Sequence, residues 1–238
     1  MSQAPRRTGS ATRQFIQEQI KDFILRERLR PGDLLPTEPA LMAQLDVGRH
    51  PLREAIKGLQ AIGIVEVRHG HGTYVGDASL AGLESGLAFR IAQSLADQSL
   101  ESIRHLLQAR EALEVGLAHD VVARVDDAQL AALTRIVEAM RVKAAADEDF
   151  ADEDAEFHAA LYEPLGNPLV LELVAIFWRS FNNIADTLGT EPEPTQPKLD
   201  RHVNLLTPLR ARDTDAFAAA MRRHFDGVKI RLGAVEAR

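Results

Sequence analysis

Asp154 and His158 stand four residues apart, a spacing that puts both side chains on one face of a helix. His202 and His224 follow in two later segments of helical periodicity. One carboxylate and three imidazoles converging from three helices would form an oxygen–nitrogen cage for a divalent first-row metal. Read singly, each histidine serves as readily as a hydrogen-bonded core or surface residue, because isolated His spacing is weakly specific. His105 and His119 have no partner at ligand spacing. A second group of side chains lies near the front. Arg49 and Arg53 are also four apart, with His50 beside them. A guanidinium matches the O6 and N7 acceptors of guanine. His69, Gly70 and His71 lie in a glycine-rich turn, where backbone N–H groups can approach phosphate or the minor groove. The plainer reading of this group is a small helical domain carrying two solvated arginines.

Composition narrows the chemistry. The chain has 238 residues and no cysteine, so disulfides, thiolate metal sites and a cysteine nucleophile are excluded. The longest unbroken apolar runs, such as Leu173–Trp178, are far too short to span a bilayer, and no apolar stretch follows Arg6, Arg7 and Arg13 to make a signal peptide. These features point to a cytoplasmic protein with no membrane partner. The net charge of −7 is uneven. Residues 1–76 carry 11 Lys+Arg against 8 Asp+Glu, and the remainder 17 against 27. A basic front joined to an acidic rear suggests that only the front meets a polyanion.

The elements that must position these groups follow from periodicity. Residues 1–11 read as a flexible arm. Phe15, Ile16, Ile20, Phe23 and Ile24 recur at helical spacing, predicting a helix from Thr12 to about Arg28. Thr37 caps a short helix over Glu38–Leu45, and a third runs from Arg49 to about Ile62 with Leu52, Ile56 and Leu59 inward. Ile64–Val67 and Thr73–Val75 predict a hairpin. After a linker at 77–81 the pattern is helical throughout, with helices at Leu83–Leu95, Glu101–Val125, Asp126 or Asp127 to Ala146, Glu148–Tyr162, Pro168–Leu188, Lys198–Arg210 and Asp213–Val235. The expected fold is mainly α: a winged helix-turn-helix over 12–76, then an all-helical antiparallel bundle of six or seven helices over 82–238.

The stretches Leu34-Leu35-Pro36-Thr37-Glu38, Val47-Gly48-Arg49-His50-Pro51-Leu52-Arg53-Glu54-Ala55 and His69-Gly70-His71-Gly72-Thr73-Tyr74-Val75 resemble the winged helix-turn-helix of GntR-family bacterial transcription regulators. The rear stretches Arg110-Glu111-Ala112-Leu113-Glu114, Asp154-Ala155-Glu156-Phe157-His158 and Leu165-Gly166-Asn167-Pro168-Leu169, with His202 and Met221-Arg222-Arg223-His224, resemble the FCD subgroup. Gly48 stands where that family usually has Ser, and Arg201 where the subgroup often has Glu. The resemblance implies a DNA-binding surface at Arg49, His50, Arg53, His69, Gly70 and His71. It also implies a divalent metal (Zn, Ni or Mn) on Asp154, His158, His202 and His224, and a small carboxylate effector beside it. Arg110 corresponds to an arginine lining that cavity, with Arg179 and Asn183 as weaker candidates. A salt bridge to Glu111, Glu114 or a neighbouring helix is the competing role for Arg110.

The function expected is transcription regulation by a homodimer on double-stranded operator DNA with two-fold related half-sites. A metal-dependent hydrolase, or a DNA-binding regulator with a purely structural metal, are the rival readings. No Gly-x-Ser-x-Gly, P-loop or dinucleotide-binding glycine pattern appears, and the sole Glu-x-x-His, Glu66 to His69, falls on the expected wing.

Overall fold

A computed structural model describes residues 9–185 and 194–236. The chain divides into two compact units, Met1–Ser85 and Gly86–Arg238. In the first, α1 (Gly9–Arg26), α2 (Glu38–Leu45) and α3 (Arg49–Ala61) precede a hairpin of β1 (Val65–Arg68) and β2 (Gly72–Val75). Ile16, Ile20, Leu41, Leu52, Leu59 and Val65 form its buried centre; Ile16, Ile20, Leu52 and Leu59 lie on the faces predicted from periodicity, whereas Phe15, in the same pattern, is exposed. Thr37 caps α2 by accepting from the Ala40 N–H, and Pro39 fits the first turn, where its missing donor costs nothing. Asp46 turns the chain in the left-handed region at φ 50°. Gly48 then opens α3 without a side-chain cap. The hairpin pairs Val65 with Val75 and Arg68 with Gly72 in antiparallel register. Its base is pinned by the N–H of Gly32 donating to the Val75 carbonyl and that of Leu35 to the Thr73 carbonyl, both at 2.8 Å. Residues 9–11 of the expected arm belong to α1, and residues 1–8 lie outside the described residues.

Beyond residue 80 the described elements are helical: α4 (Ala81–Ala96), α5 (Glu101–Gly116), α6 (Ala118–Arg124), α7 (Asp127–Ala145), α8 (Ala151–Tyr162), α9 (Pro168–Ala185), α10 (Thr195–Arg210), α11 (Thr214–His224) and α12 (Asp226–Glu236), with a 3-10 turn at Glu163–Leu165. Ala81, expected in the linker, is the first residue of α4. In the second unit α7 packs on α8 and α10, α10 on α11, and α5 on α9 and α11. Ile103, Leu133, Met140, Phe157, Leu205 and Phe217 are wholly buried at its centre.

Two helices expected as single rods are interrupted. The Glu101–Val125 helix breaks at Leu117, just after Gly116, a residue that costs a helix about 1 kcal/mol relative to Ala. The Asp213–Val235 helix breaks at Phe225, whose ring is buried in the core. The helix expected from Glu148 starts at Ala151, because Asp147 turns the chain at φ 55° and the buried Phe150 precedes the first turn. Of the expected loop at 189–197, residues 189–193 lie outside the described residues, whereas Thr195–Pro197 form the first turn of α10.

Candidate metal centre and nucleic-acid interface

Three helices of the second unit bring the four candidate ligands together. α8 carries Asp154 and His158, α10 carries His202, and α11 ends on His224. One donor atom from each lies within 4.8 Å of all the others. Asp154, His158 and His202 are buried, and His224 is half-buried. Nε2 of His202 is 2.9 Å from Asp154 Oδ1, and Nε2 of His158 is 3.4 Å from the same oxygen. Nε2 of His158 and Nε2 of His224 face each other at 3.1 Å.

The ring orientations suit a cation. Nδ1 of His202 is 2.9 Å from the Lys198 carbonyl. A carbonyl only accepts, so Nδ1 carries the proton and Nε2 faces the cluster. Protons on the ring nitrogens bridge these contacts, and a divalent ion would replace them; one carboxylate with three imidazoles is a donor set that fits a borderline ion. The chain has no cysteine, and among the described residues no second carboxylate joins the set.

Electrostatics divide the group. For Asp154, burial would raise the carboxyl, but the neighbouring His202 and His158 outweigh it and hold it well below the usual carboxylate range. Burial, reinforced by His202 and His158, pushes His224 well below an ordinary imidazole and keeps it neutral, the state a ligand needs. Burial acts the same way on His158, but the Glu114 carboxylate overcomes it and raises that imidazole.

Arg110, on α5, borders the cluster. Its Nη2 is 3.4 Å from His158 Nε2, and its guanidinium lies 5.3 Å from the centre of the Phe225 ring. Nε of Arg110 donates to Glu114 Oε1 at 2.6 Å, so the expected salt bridge is present and Glu114, not Glu111, is the partner. The same guanidinium therefore meets both an anion and the cluster. Arg179 is exposed on α9, at a groove of about 180 Å³ between α8 and α9 that also reaches Trp178 and His158. The side chain of Asn183 lies outside the described residues. Periodicity alone did not single out Glu114 as part of the site, because a glutamate one turn beyond an arginine reads as an ordinary helix pair.

In the first unit, Arg49, His50 and Arg53 are exposed along the first half of α3, opposite the buried Leu52, Ala55 and Ile56. His69, Gly70 and His71 are exposed at the hairpin turn, where Gly70 takes φ 75°. Arg53 is not a free cation. Its Nε lies 3.0 Å from both carboxylate oxygens of Glu38, at the start of α2. This pair bridges the two helices of the turn through Nε, and the Arg53 side chain remains largely exposed. No sequence signal marked it, since the partners are fifteen residues apart.

A family model described as bacterial regulatory proteins, gntR family, matches residues 12–75, and one described as the FCD domain matches residues 105–227. The chain belongs to the GntR family of bacterial regulators, in its FCD branch. It is a DNA-binding transcription regulator and not an enzyme. The HTH-type transcriptional repressor NanR of Cronobacter sakazakii is 28% identical over 217 residues, covering 90% of this chain and 83% of that protein. NanR of Salmonella typhimurium is 27% identical over the same length, covering 82% of that protein. Among solved structures, Streptococcus agalactiae GntR matches with a TM-score of 0.67 at 27% identity, over 93% of this chain and 99% of that one. E. coli McbR/YncC shares the fold at a TM-score of 0.52 and 17% identity, over 94% of the regulator and 98% of that chain. No described helix of the regulator is long and apolar enough to cross a membrane.

Proposed function

We propose that the regulator is a metal-assisted acid sensor, whose affinity for operator DNA is set by a small carboxylate bound in the second unit. The observation that carries this reading is the convergence of Asp154, His158, His202 and His224 within 4.8 Å, with the Arg110 guanidinium 3.4 Å from one of them. One divalent ion, Zn²⁺, Ni²⁺ or Mn²⁺, on this set would supply a cationic centre with open positions for a carboxylate oxygen. A single aspartate offsets only half of a divalent charge, so the site remains attractive to an acid. Arg110 holds the acid from the other side through its terminal nitrogens, while Nε stays on Glu114. The groove beside Trp178 gives the rest of the effector a way to His158, with Arg179 at its exposed edge and Asn183 further along α9.

At the other end, Arg49, His50 and Arg53 enter the major groove from α3, and His69, Gly70 and His71 reach the adjacent backbone or minor groove from the wing. Residues 12–76 do the reading. Residues 82–238 hold metal and effector and supply the dimer contact, with 77–81 joining them and 1–11 as an arm. One winged domain covers few base pairs, so a homodimer on two-fold related half-sites supplies the remaining specificity. The NanR relatives are repressors by name, and this favours repression relieved by the effector in the cytoplasm. The test is a thermal-shift panel of small carboxylates, run on metal-loaded protein and after chelation. At least one acid should raise the melting temperature in the loaded protein only, and the same acid should release operator DNA. Stabilisation that survives chelation would leave the metal structural, and turnover of an acid would restore the hydrolase reading.

A further inference from the structure

The strongest feature that the sensing account leaves unused is Glu114. Its carboxylate is wholly buried, and both oxygens are engaged. Oε1 accepts from Arg110 Nε at 2.6 Å. Oε2 accepts from the Tyr162 hydroxyl at 2.9 Å and lies 3.2 Å from Nδ1 of His158, an ion-pair distance at which that otherwise unpartnered ring nitrogen meets no other acceptor. A carboxylate needed only to neutralise Arg110 would use one oxygen and leave the other to any nearby donor. Here the second oxygen is held by Tyr162 against the ring nitrogen that faces away from the cluster. A proton on Nδ1 is the one that leaves Nε2 free to face Asp154 and His224.

We propose that Glu114 is the positioning residue of the cluster: Oε2 sets the tautomer and tilt of His158, while Oε1 fixes the Arg110 guanidinium beside it. One buried carboxylate thereby fixes the geometry of a metal ligand and of the cation that would meet the effector. The inference rests on the metal reading above and adds to it the residue that orients the site. Carboxylates behind ligating histidines fix ring orientation and strengthen the ligand, and their loss weakens metal binding by roughly 10–100-fold. Tyr162, whose hydroxyl keeps its proton because of burial and the adjacent carboxylate and donates it in a hydrogen bond, completes the shell by keeping Oε2 in place.

The test uses the full chain, chelated and then titrated with Co²⁺, whose visible absorption reports ligand geometry. Long-range ¹H–¹⁵N spectra of the histidine rings at pH 8 are recorded in parallel on the metal-free protein. The wild type should bind one Co²⁺ and show His158 as the Nδ1–H tautomer. Glu114→Gln should bind Co²⁺ about 10–100-fold more weakly, with a mixed tautomer at His158. Tyr162→Phe retains the carboxylate, so it should keep the tautomer and lose less than tenfold. If Glu114→Gln fails to fold because Arg110 is left buried without an anion, Glu114→Gln/Arg110→Met removes both charges and should still show the mixed tautomer. Wild-type affinity and tautomer in a folded Glu114 variant would overturn the positioning role while leaving the metal reading intact. Absence of Co²⁺ binding by the wild type would overturn both.

Discussion

Arg53 and Arg49 differ in a way that their shared spacing does not reveal. Arg49 makes no ion pair among the described residues, whereas Arg53 is held at Nε by Glu38. The pair is exposed, so its direct contribution to stability is small, and its value lies in aiming the guanidinium. Arg49→Ala and Arg53→Ala should each cost about 1–3 kcal/mol on operator DNA if they contact guanine. Glu38→Ala should weaken operator binding less than Arg53→Ala, because the charge survives and only its direction is lost. Fluorescence anisotropy on specific and random duplexes at two salt concentrations checks this, since a pure phosphate contact lowers both equally and flattens the salt slope. The rear cluster carries its own pH signature in the chelated protein. Asp154 and Glu114 are held below ordinary carboxyls, so they contribute stability above about pH 4 that is lost as pH falls through their folded values. His224, held low, adds stability above about pH 6.5 that is lost as pH falls through its folded value. His158 is held high and works in the opposite direction: its contribution is complete below about pH 6.5 and is lost as pH rises through its folded value. Calorimetry of variants should therefore show His158→Gln destabilising most at pH 6 and less at pH 9, and an unchanged penalty across that range would contradict the Glu114–His158 coupling.

At the scale of elements, the front unit was legible almost residue by residue. Thr37, Pro39, Gly48 and the spacing of Leu52, Ile56 and Leu59 mark α2 and α3 by local chemistry that tertiary contacts do not override. Leu52, wholly buried under the exposed Arg49 and Arg53, makes the same point energetically. Leu52→Ala should lower the stability of the front unit by about 2–5 kcal/mol and weaken DNA binding through loss of the α3 fold, read by hydrogen exchange on α1–α3. The rear helices were legible as helices but not as rods. Gly116 weakens the helix just before the break at Leu117, but Leu117 and Phe225 themselves keep dihedrals near the helical range, so the periodicity reads through both breaks. The break at Phe225 ends α11 on His224 itself, so the last ligand projects from a helix terminus whose start is capped by Asp213 accepting from the Ala216 N–H. The cluster was legible because Asp154 and His158 share a helix face and the family pattern supplies the later histidines. Glu114 was legible as a partner for Arg110, but its contacts with His158 and Tyr162 were not, because partners 44 and 48 residues away leave no trace in periodicity.

At the scale of the whole molecule, this GntR-family regulator has a net basic front and a net acidic rear, and the proposed reading gives DNA to the first and the effector to the second. Linkage requires the coupling to be reciprocal: an effector that weakens operator binding by a given factor must itself bind more weakly, by the same factor, when operator is present. Isothermal titration of a stabilising acid into free and operator-bound dimer tests this without a model of the conformational change. All of it depends on whether the four converging side chains hold an ion. The most direct measurement is elemental analysis combined with native mass spectrometry of the full chain and of His202→Ala/His224→Ala, after dialysis against equimolar Zn²⁺, Ni²⁺ and Mn²⁺. The account predicts one divalent ion per wild-type chain and a double variant that stays dimeric with little or no metal. A double variant that retains one ion per chain, or a wild type that retains none, would contradict it.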